Sequence, residues 1–388
     1  MPASFSGQFF RIVVWVPADE PAQGCGTGRP PLDAAPGPWG WSTMRLSATL
    51  STLLHRRLAA LKRGAITVRA AAAAGRLRLR LAAVNAAGEP ETMIRLCKPG
   101  SGRLEMEVDH HWLRSRSGFS TLWRRLGTLV RVVGDRRLGP GSWQADLGDF
   151  VQSEGAVIGF SSRHAESLLV PDRGFTTSGG YARIRRLAAS APPFEARQPL
   201  VVWRGSPSGH GLTALPEPEP LDSHDPRLRQ RVRLCLLARE ARAAGLAGLD
   251  IRFARSRSLG GSLSARYAAV GILADPLPPA SWLGLQYAID IDGYGNAYSN
   301  LFTRLLFGCC VIKIGSPQGF RQWYYDRLVP WRHYLPVRAD LTDFLEVLAW
   351  ARDNPSTCRS IAAAGQALAM SMTLAGEHRR AVERLAAA

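Results

Sequence analysis

The stretch YAIDIDGYGNAYSNLFTRLLFG, Tyr287–Gly308, decides the fold. An apolar run from Leu285 to Ile291 ends in Asp292-Gly293. A Gly/Asn loop follows, and a helix-forming segment begins near Ser299. A buried strand passing through a short polar loop into a helix is half of a parallel crossover unit. A helix N-terminus behind glycines collects unpaired N–H groups and makes an anion site. The stretch carries neither GK[ST] nor GxGxxG, so it is not a P-loop or a dinucleotide fingerprint. The same pattern also serves a tight strand-to-helix turn capped by Ser299 or Asn300.

Working outward, VVWRGSPSGHG (Val201–Gly211) repeats the design: an apolar strand enters a Gly/Ser loop with Arg204 at the junction. Gly205 permits close backbone approach, Ser206 offers a hydroxyl, and the arginine fork suits a diphosphate. Ligands of parallel α/β sheets bind outside the carboxyl ends of the strands. Strands are predicted at 200–203, 249–253, 285–291, 311–314 and 333–337, and helices at 226–244, 298–307, 341–351 and 355–372. Alternation of this kind predicts an α/β chain with parallel sheets. Asp340 with Asp343 reads as an acidic capping box, and Asn354-Pro355 as the start of the last of these helices. Further upstream, 113–133 reads as a helix. The Pro/Gly-rich residues 1–43 read as disordered, and 44–80 as a basic, helix-prone stretch leading into a strand, LRLRLAAV. The expected organisation is a disordered segment 1–43, an N-terminal α/β domain over 44–195 with a basic lead-in, and a C-terminal α/β domain over 196–388.

The chain has 388 residues, 46% hydrophobic and 21% charged, with a formal net charge of +18. That composition is globular, and the charge favours anionic partners: nucleic acid, an anionic membrane surface or a phosphorylated small molecule. The six cysteines form no CxxC pair and read as reduced, buried thiols. The expected location is cytoplasmic, with the basic 44–80 stretch as a contact to the inner face of an anionic membrane. Nucleic-acid binding requires an RRM, KH, helix-turn-helix or OB pattern, and none is present.

Other residues able to carry chemistry are few. WQADLGDF places Asp146 and Asp149 at the end of a short strand, where one is a candidate general base and the other a cap. The DHH run at 109–111 lacks a third ligand at sensible spacing, so no metal site is expected. FRQWYYDRLVPWRHYLPV (Phe320–Val337) interleaves aromatics with charge. Trp323, Tyr324, Tyr325 and Trp331 are expected to pack, and Arg321, Gln322 and His333 to face a cleft.

The run from Leu283 to Pro355 resembles glycosyltransferase family 90, on Asp292-Gly293, the strand from Gly308 to Lys313, and WYYDRLVPWRHYLPVRADLTDF (Trp323–Phe344). WRGSPSG, SWQADLGDF and IGFSSRHAESLLVPD extend the likeness over roughly 140–375. The family includes Rumi-like protein O-glucosyltransferases, fungal capsule xylosyltransferases and bacterial lipopolysaccharide glycosyltransferases. The resemblance implies a GT-B-like fold, two Rossmann-type domains facing across a cleft, and no cofactor beyond a UDP-sugar donor substrate. It implies transfer of a hexose or pentose to a hydroxyl of a lipopolysaccharide core or similar glycan or glycolipid, by an inverting, metal-independent route. Nucleic acid is not among the partners it implies. Carried over residue by residue, Asp149 falls on the catalytic aspartate, Ser206 on a donor-binding serine, and the loop from Asp292 through Gly293, Tyr294 and Asn296 to Ser299 on the diphosphate loop. Arg204, Gly205, Asn300 and Arg304 complete the expected donor set. The arginine expected six residues after Ser206 is replaced by Leu212, which leaves His210 or Arg227 to substitute. The remaining alternatives are a nucleic-acid-binding protein and a glycan-binding family member without catalysis.

Overall fold

The structure, a computed structural model, describes residues 13–15, 65–72, 75–84, 90–100, 102–109, 111–112, 115–256 and 259–388. The expectations for 1–43 and for most of 44–80 lie outside them. The chain forms two compact units, Met1–Leu147 with Val382–Ala388, and Gly148–Ala381. Residues 148–195, grouped with the first domain in the sequence reading, therefore pack in the second unit. They have no separate core: Leu169, Phe175 and Tyr181 are buried among Phe302, Trp323 and Tyr324.

The first unit holds strands β1 (Val13–Trp15), β2 (Ala65–Ala72), β3 (Gly75–Val84), β4 (Met93–Gly100), β5 (Arg103–Asp109) and β6 (Gly141–Asp146), with helix α1 (Arg116–Val133). The strands lie in the order β1-β2-β3-β5-β4-β6. Only β3/β5 is parallel among these neighbours; the other ladders are antiparallel. This unit is mixed α/β rather than a parallel Rossmann-type set. The links between β2 and β3 and between β4 and β5 are too short for a parallel crossover. Residues 65–72 are a strand, not a continuation of the helix-prone stretch, in keeping with β-branched Ile66, Thr67 and Val68. Asp109, from the DHH run, accepts a bond from the Trp112 N–H at 2.8 Å and so closes a turn.

The second unit begins with the short parallel pair β7 (Ile158–Gly159) and β8 (Leu168–Leu169), then helices α2 (Arg173–Thr177) and α3 (Ala182–Ala188). Next come β9 (Gln198–Gly205), α4 (Gln230–Ala243), β10 (Leu249–Ala254), α5 (Gly261–Ala269), β11 (Leu273–Ala274), β12 (Leu285–Asp290), α6 (Ser299–Leu306), β13 (Cys310–Ile314), β14 (Leu335–Val337), α7 (Phe344–Asp353), α8 (Pro355–Ser371) and α9 (Leu374–Ala387), whose residues from Val382 onward belong to the first unit. Strands β9–β14 form one sheet in the order β11-β10-β9-β12-β13-β14, parallel throughout. Numbered along the chain, that is 3-2-1-4-5-6, the doubly wound dinucleotide-binding order. Strands covered on both faces read as continuous apolar runs, which is why the sequence exposed them. Val201, Trp203, Tyr287 and Ile289 face one core with α4, α7 and α8, whereas Val202 and Ala288 face a second core with α6.

The expected capping box is displaced. α7 starts at Phe344, and Asp340 instead accepts bonds from the Thr342 N–H and hydroxyl, while Asp343 accepts the Arg338 N–H. Asn354-Pro355 does begin α8, although the Asn354 amide points back to the Trp350 carbonyl. Cys235, Cys309, Cys310 and Cys358 are buried free thiols; Cys97, also expected to be buried, is half-buried, and Cys25 lies outside the described residues. No helix among the described residues is long and apolar enough to cross a membrane.

Phe302 is 1% exposed and sits at 5.1–5.7 Å between ring centroids from Phe175, Tyr181, Trp323 and Tyr324. Phe302→Ala should destabilise the unit by about 3–5 kcal/mol, the cost of deleting a core aromatic. Urea unfolding followed by tryptophan fluorescence checks it; an unchanged midpoint would mean this aromatic core is not formed.

Candidate functional site

Between β9 and β12 the strand order reverses, and the crevice at the carboxyl ends of such a pair is where doubly wound sheets bind ligands. Here a cavity of about 510 Å³ opens, walled by Ser208–Gly211 after β9, Gln230, Arg231 and Arg233 of α4, Asp292-Gly293 after β12, Pro317-Gln318 after β13, and Ala339-Asp340 after β14.

Arg231, 8% exposed, ties the two switch-point loops together. Its Nε donates to the Asp292 carbonyl at 2.8 Å and Nη2 to Ile291 O at 2.9 Å. Its Nη1 donates to Ser206 O at 3.0 Å and to Ser208 Oγ at 2.7 Å. The guanidinium lies over the Trp203 ring, 5.5 Å from its centroid. Burial lowers its pKa, opposed by Asp290 and Asp292. The approach is so close that a Cβ on Gly293 would stand 2.8 Å from Ser208 Oγ and 3.2 Å from Arg231 Nη2, so a side chain there would have to displace the serine hydroxyl or the guanidinium. Arg229 holds the N-cap position of α4 without a side-chain cap, and the first turn contains no acid. Basic residues at a helix N-terminus are unfavourable unless an anion answers them. His210 Nε2 lies 2.9 Å from Tyr294 O, and Arg229 sits over the half-exposed Tyr294 ring.

Beneath the β12 loop lies a buried polar cluster. Asp290, 0% exposed, accepts Asn300 Nδ2 at 2.9 Å and Lys313 Nζ at 3.2 Å. Burial works against the Lys313 charge, but Asp290 and Asp292 raise its pKa overall. Asn296 accepts the Ser161 hydroxyl at 2.6 Å and donates to Asp292 Oδ1, Phe320 O and Tyr325 Oη at 3.2–3.3 Å. Gln322 Oε1 is buried without a hydrogen-bond partner, whereas hydrogen bonds from Ser316 and Asn296 act on the Asp292 carboxyl.

Asp149 is exposed, and its segment lies against the β12 loop. Its carbonyl accepts the Tyr298 hydroxyl at 2.5 Å and would stand 2.9 Å from a Cβ on Gly295. Phe150 packs on Phe320 and reaches towards His210. Asp146 ends β6 as a buried acceptor for Thr92 Oγ1 at 2.6 Å, which suits a structural role.

The structure therefore brings Asp149's segment, Ser206, His210, Asp292, Gly293, Tyr294 and Asn296 into one neighbourhood, with Gly205 at the end of β9. Other expected residues lie elsewhere. Arg204 turns along the sheet and pairs with Asp250 at 2.5 Å, also donating to carbonyls of Asp250 and Asp275. Arg304, one face of the guanidinium 3.4 Å from the Trp282 centroid, is pulled down to about 10 by burial. It lies near the amino end of β12, because α6 runs back across the sheet. Ser299 opens α6 beside Gly174, and Asn300 is committed to Asp290 and Ile289. Gln322 joins the buried cluster through Tyr298 O and Tyr325. Arg321 bonds His164 O, and His333 Nδ1 accepts the Val329 N–H at the amino end of β14, away from the cavity. Trp323 and Tyr324 pack as expected, whereas Trp331 is 48% exposed against Trp350. Arg227 is exposed and paired with Glu219 and Asp225. Sequence reasoning missed Arg231. Its signal was a run of first-turn arginines, with no acid among them, in the helix that follows the β9 loop. No group of three or more His, Cys, Asp or Glu among the described residues is arranged to hold a metal.

Residues 278–377 match the family model for glycosyl transferase family 90. That segment is similar to family 90. It contains β12, the loop from Asp292 to Tyr298, Lys313 and the aromatic block. Human protein O-glucosyltransferase 3 is 34% identical over 88 residues, 22% of this chain and 17% of that protein. Protein O-glucosyltransferase 2 of Danio rerio is 38% identical over 84 residues, 22% of this chain and 16% of that protein. An uncharacterized protein of frog virus 3, 027R, is 26% identical over 194 residues, 48% of this chain and 19% of that protein. The chain thus spans less than a fifth of each of these relatives. Among solved structures, Anabaena Alr3699/HepE in complex with UDP-glucose covers 53% of this chain and 53% of its own, at a TM-score of 0.30 and 9% identity. That likeness is too slight to bear on the fold.

Burial raises the Asp292 pKa above the ordinary 3.8, Lys313 opposing and Asp290 assisting. The folded state then holds this proton more tightly than the unfolded state, so stability falls as pH rises from about 3.8 through the folded pKa. Asp292→Asn removes that loss. The melting temperature of the variant minus that of the wild type should grow as pH rises through this window and then level off. A difference independent of pH would show that Asp292 is not strained by its burial.

Proposed function

We propose that this chain is a glycosyltransferase that moves a hexosyl or pentosyl group from a UDP-sugar to a hydroxyl of a lipopolysaccharide core or similar surface glycan, with inversion. One observation carries the reading: the cavity at the switch point of a 3-2-1-4-5-6 sheet, its two loops bound together by Arg231, one of them within the segment similar to family 90. The named relatives that are O-glucosyltransferases support the reaction class.

The diphosphate fits against the uncapped N-terminus of α4 and the β9 loop, where Arg231, Arg233 and His210 line the wall. Preorganised donors of this kind stabilise charge as it develops on a leaving group. UDP leaves as an anion, so departure needs no general acid. The acceptor hydroxyl does need a base. Asp149 supplies an exposed carboxylate whose backbone is fixed on the β12 loop by Tyr298. In the reading proposed, it takes the hydroxyl proton as oxygen attacks the anomeric carbon from the face opposite UDP.

Asp149→Asn keeps the shape and removes the base. It should lower transfer by about 100-fold or more and leave UDP affinity nearly intact. Arg231→Ala should weaken UDP binding while Arg204→Ala leaves it largely unchanged. Calorimetric UDP titration and a UDP-release assay across UDP-glucose, UDP-galactose and UDP-xylose check this. Near wild-type transfer by Asp149→Asn removes its role as base, and UDP affinity indifferent to Arg231 moves the donor site elsewhere.

A further inference from the structure

We infer that Tyr298 is a positioning residue for the base: its hydroxyl sets where the Asp149 carboxylate stands relative to the β12 loop. The inference rests on the proposed reading of Asp149 as base and adds the residue through which the loop governs it.

Residues Ala297, Tyr298, Ser299 and Asn300 form a tight turn, closed by the Asn300 N–H donating to the Ala297 carbonyl at 3.1 Å. Tyr298 is the second residue of that turn, with φ 47° and ψ −108°. This is the first central position of a type II′ turn, where φ is positive and glycine is the usual occupant. A residue with a Cβ is strained there. Gly293 and Gly295 of the same loop do not take a positive φ; the tyrosine does. Such strain persists only where the surroundings over-determine it, and it collects at functional sites.

The side chain is what separates tyrosine from glycine at this position. Its hydroxyl donates to the Asp149 carbonyl at 2.5 Å. Its own carbonyl accepts Nε2 of Gln322, a residue 2% exposed, at 3.3 Å. Tyr298 is thus tied by its backbone to the buried cluster and by its tip to the segment that carries the base. The residues after Asp149 are held separately. Phe150 packs on Phe320 with ring centroids 4.7 Å apart, and the Val151 N–H donates to Ser161 O at 2.8 Å. With these two in place, the orientation of the 149–150 peptide sets the direction of the Asp149 side chain, and the Tyr298 hydroxyl acts on that peptide's carbonyl. A small misplacement of a reacting group costs a large part of its effect.

Transfer by wild type, Tyr298→Phe, Asp149→Asn and the double variant tests this, read as UDP release from UDP-glucose, UDP-galactose and UDP-xylose with lipopolysaccharide as acceptor. Tyr298→Phe keeps the ring and the backbone and removes only the hydroxyl. It should lower kcat by roughly three- to tenfold, the scale of one neutral hydrogen bond, with UDP affinity by calorimetry nearly unchanged. Added to Asp149→Asn, it should lower the residual rate no further, because the base it places is gone. An equal loss in both backgrounds would show that Tyr298 acts independently of Asp149 and overturn the inference. So would an undiminished kcat in Tyr298→Phe, or a matching loss of UDP affinity, which would put Tyr298 in the donor site. Tyr298→Gly and Tyr298→Ala both lack the hydroxyl and differ in backbone freedom. The glycine variant should melt at the higher temperature, and both should lose transfer. Equal melting temperatures, or full transfer by Tyr298→Gly, would contradict a strained position held for its side chain. Near wild-type transfer by Asp149→Asn, or a wild type that turns over none of the three donors, removes the reading beneath the inference and the inference with it.

Discussion

Arg231 is the constraint on which the site depends. Its four bonds join the ends of β9 and β12, the two strands between which the strand order reverses. A buried guanidinium must be satisfied by acceptors, and here the acceptors are backbone carbonyls and a serine hydroxyl of the loops themselves. Satisfying the cation thus fixes the loops. The same group brings positive charge to the wall of the cavity. Packing and electrostatics are set by one side chain, and Gly293 is where the β12 loop comes closest to it.

The second unit also places charge with unusual density beneath the β12 loop. Asp290 and Asp292 share a strand end, and Lys313 from β13 answers one of them. Asn296, Gln322 and Tyr325 distribute the remaining bonds. A cluster this buried is costly if half satisfied.

Much of the second unit was legible because parallel strands buried on both faces are apolar along their whole length. β9, β12, β13 and β14 stand where such runs occur, whereas β10, LDIRFA, alternates apolar residues with Asp250 and Arg252. The two-residue β11 and helix α5, over GSLSARYAA, carry too little pattern to be read. The first unit was read less well, since its antiparallel pairing follows from link lengths that matter only once the strands are known. At the candidate site, the strand-end rule named loops that border the cavity but not Arg231, the arginine that lines it. Arg204 and Arg231 are equivalent on paper. What separates them is Asp250 on the neighbouring strand, which captures Arg204, and neighbour relations in a sheet are not written in local sequence. Arg304 was misplaced for a related reason: an eight-residue helix carries its last turn back across the sheet. Asp149 was read at the end of a strand, and the fold adds that its backbone is held on the β12 loop itself.

A crystal structure with UDP bound tests the central claim most directly. The account predicts the diphosphate at the carboxyl edge of the sheet, between the loop 206–211 and the loop 292–298, against the first turn of α4. A nucleotide bound elsewhere on the chain, with that crevice left to solvent, would contradict it.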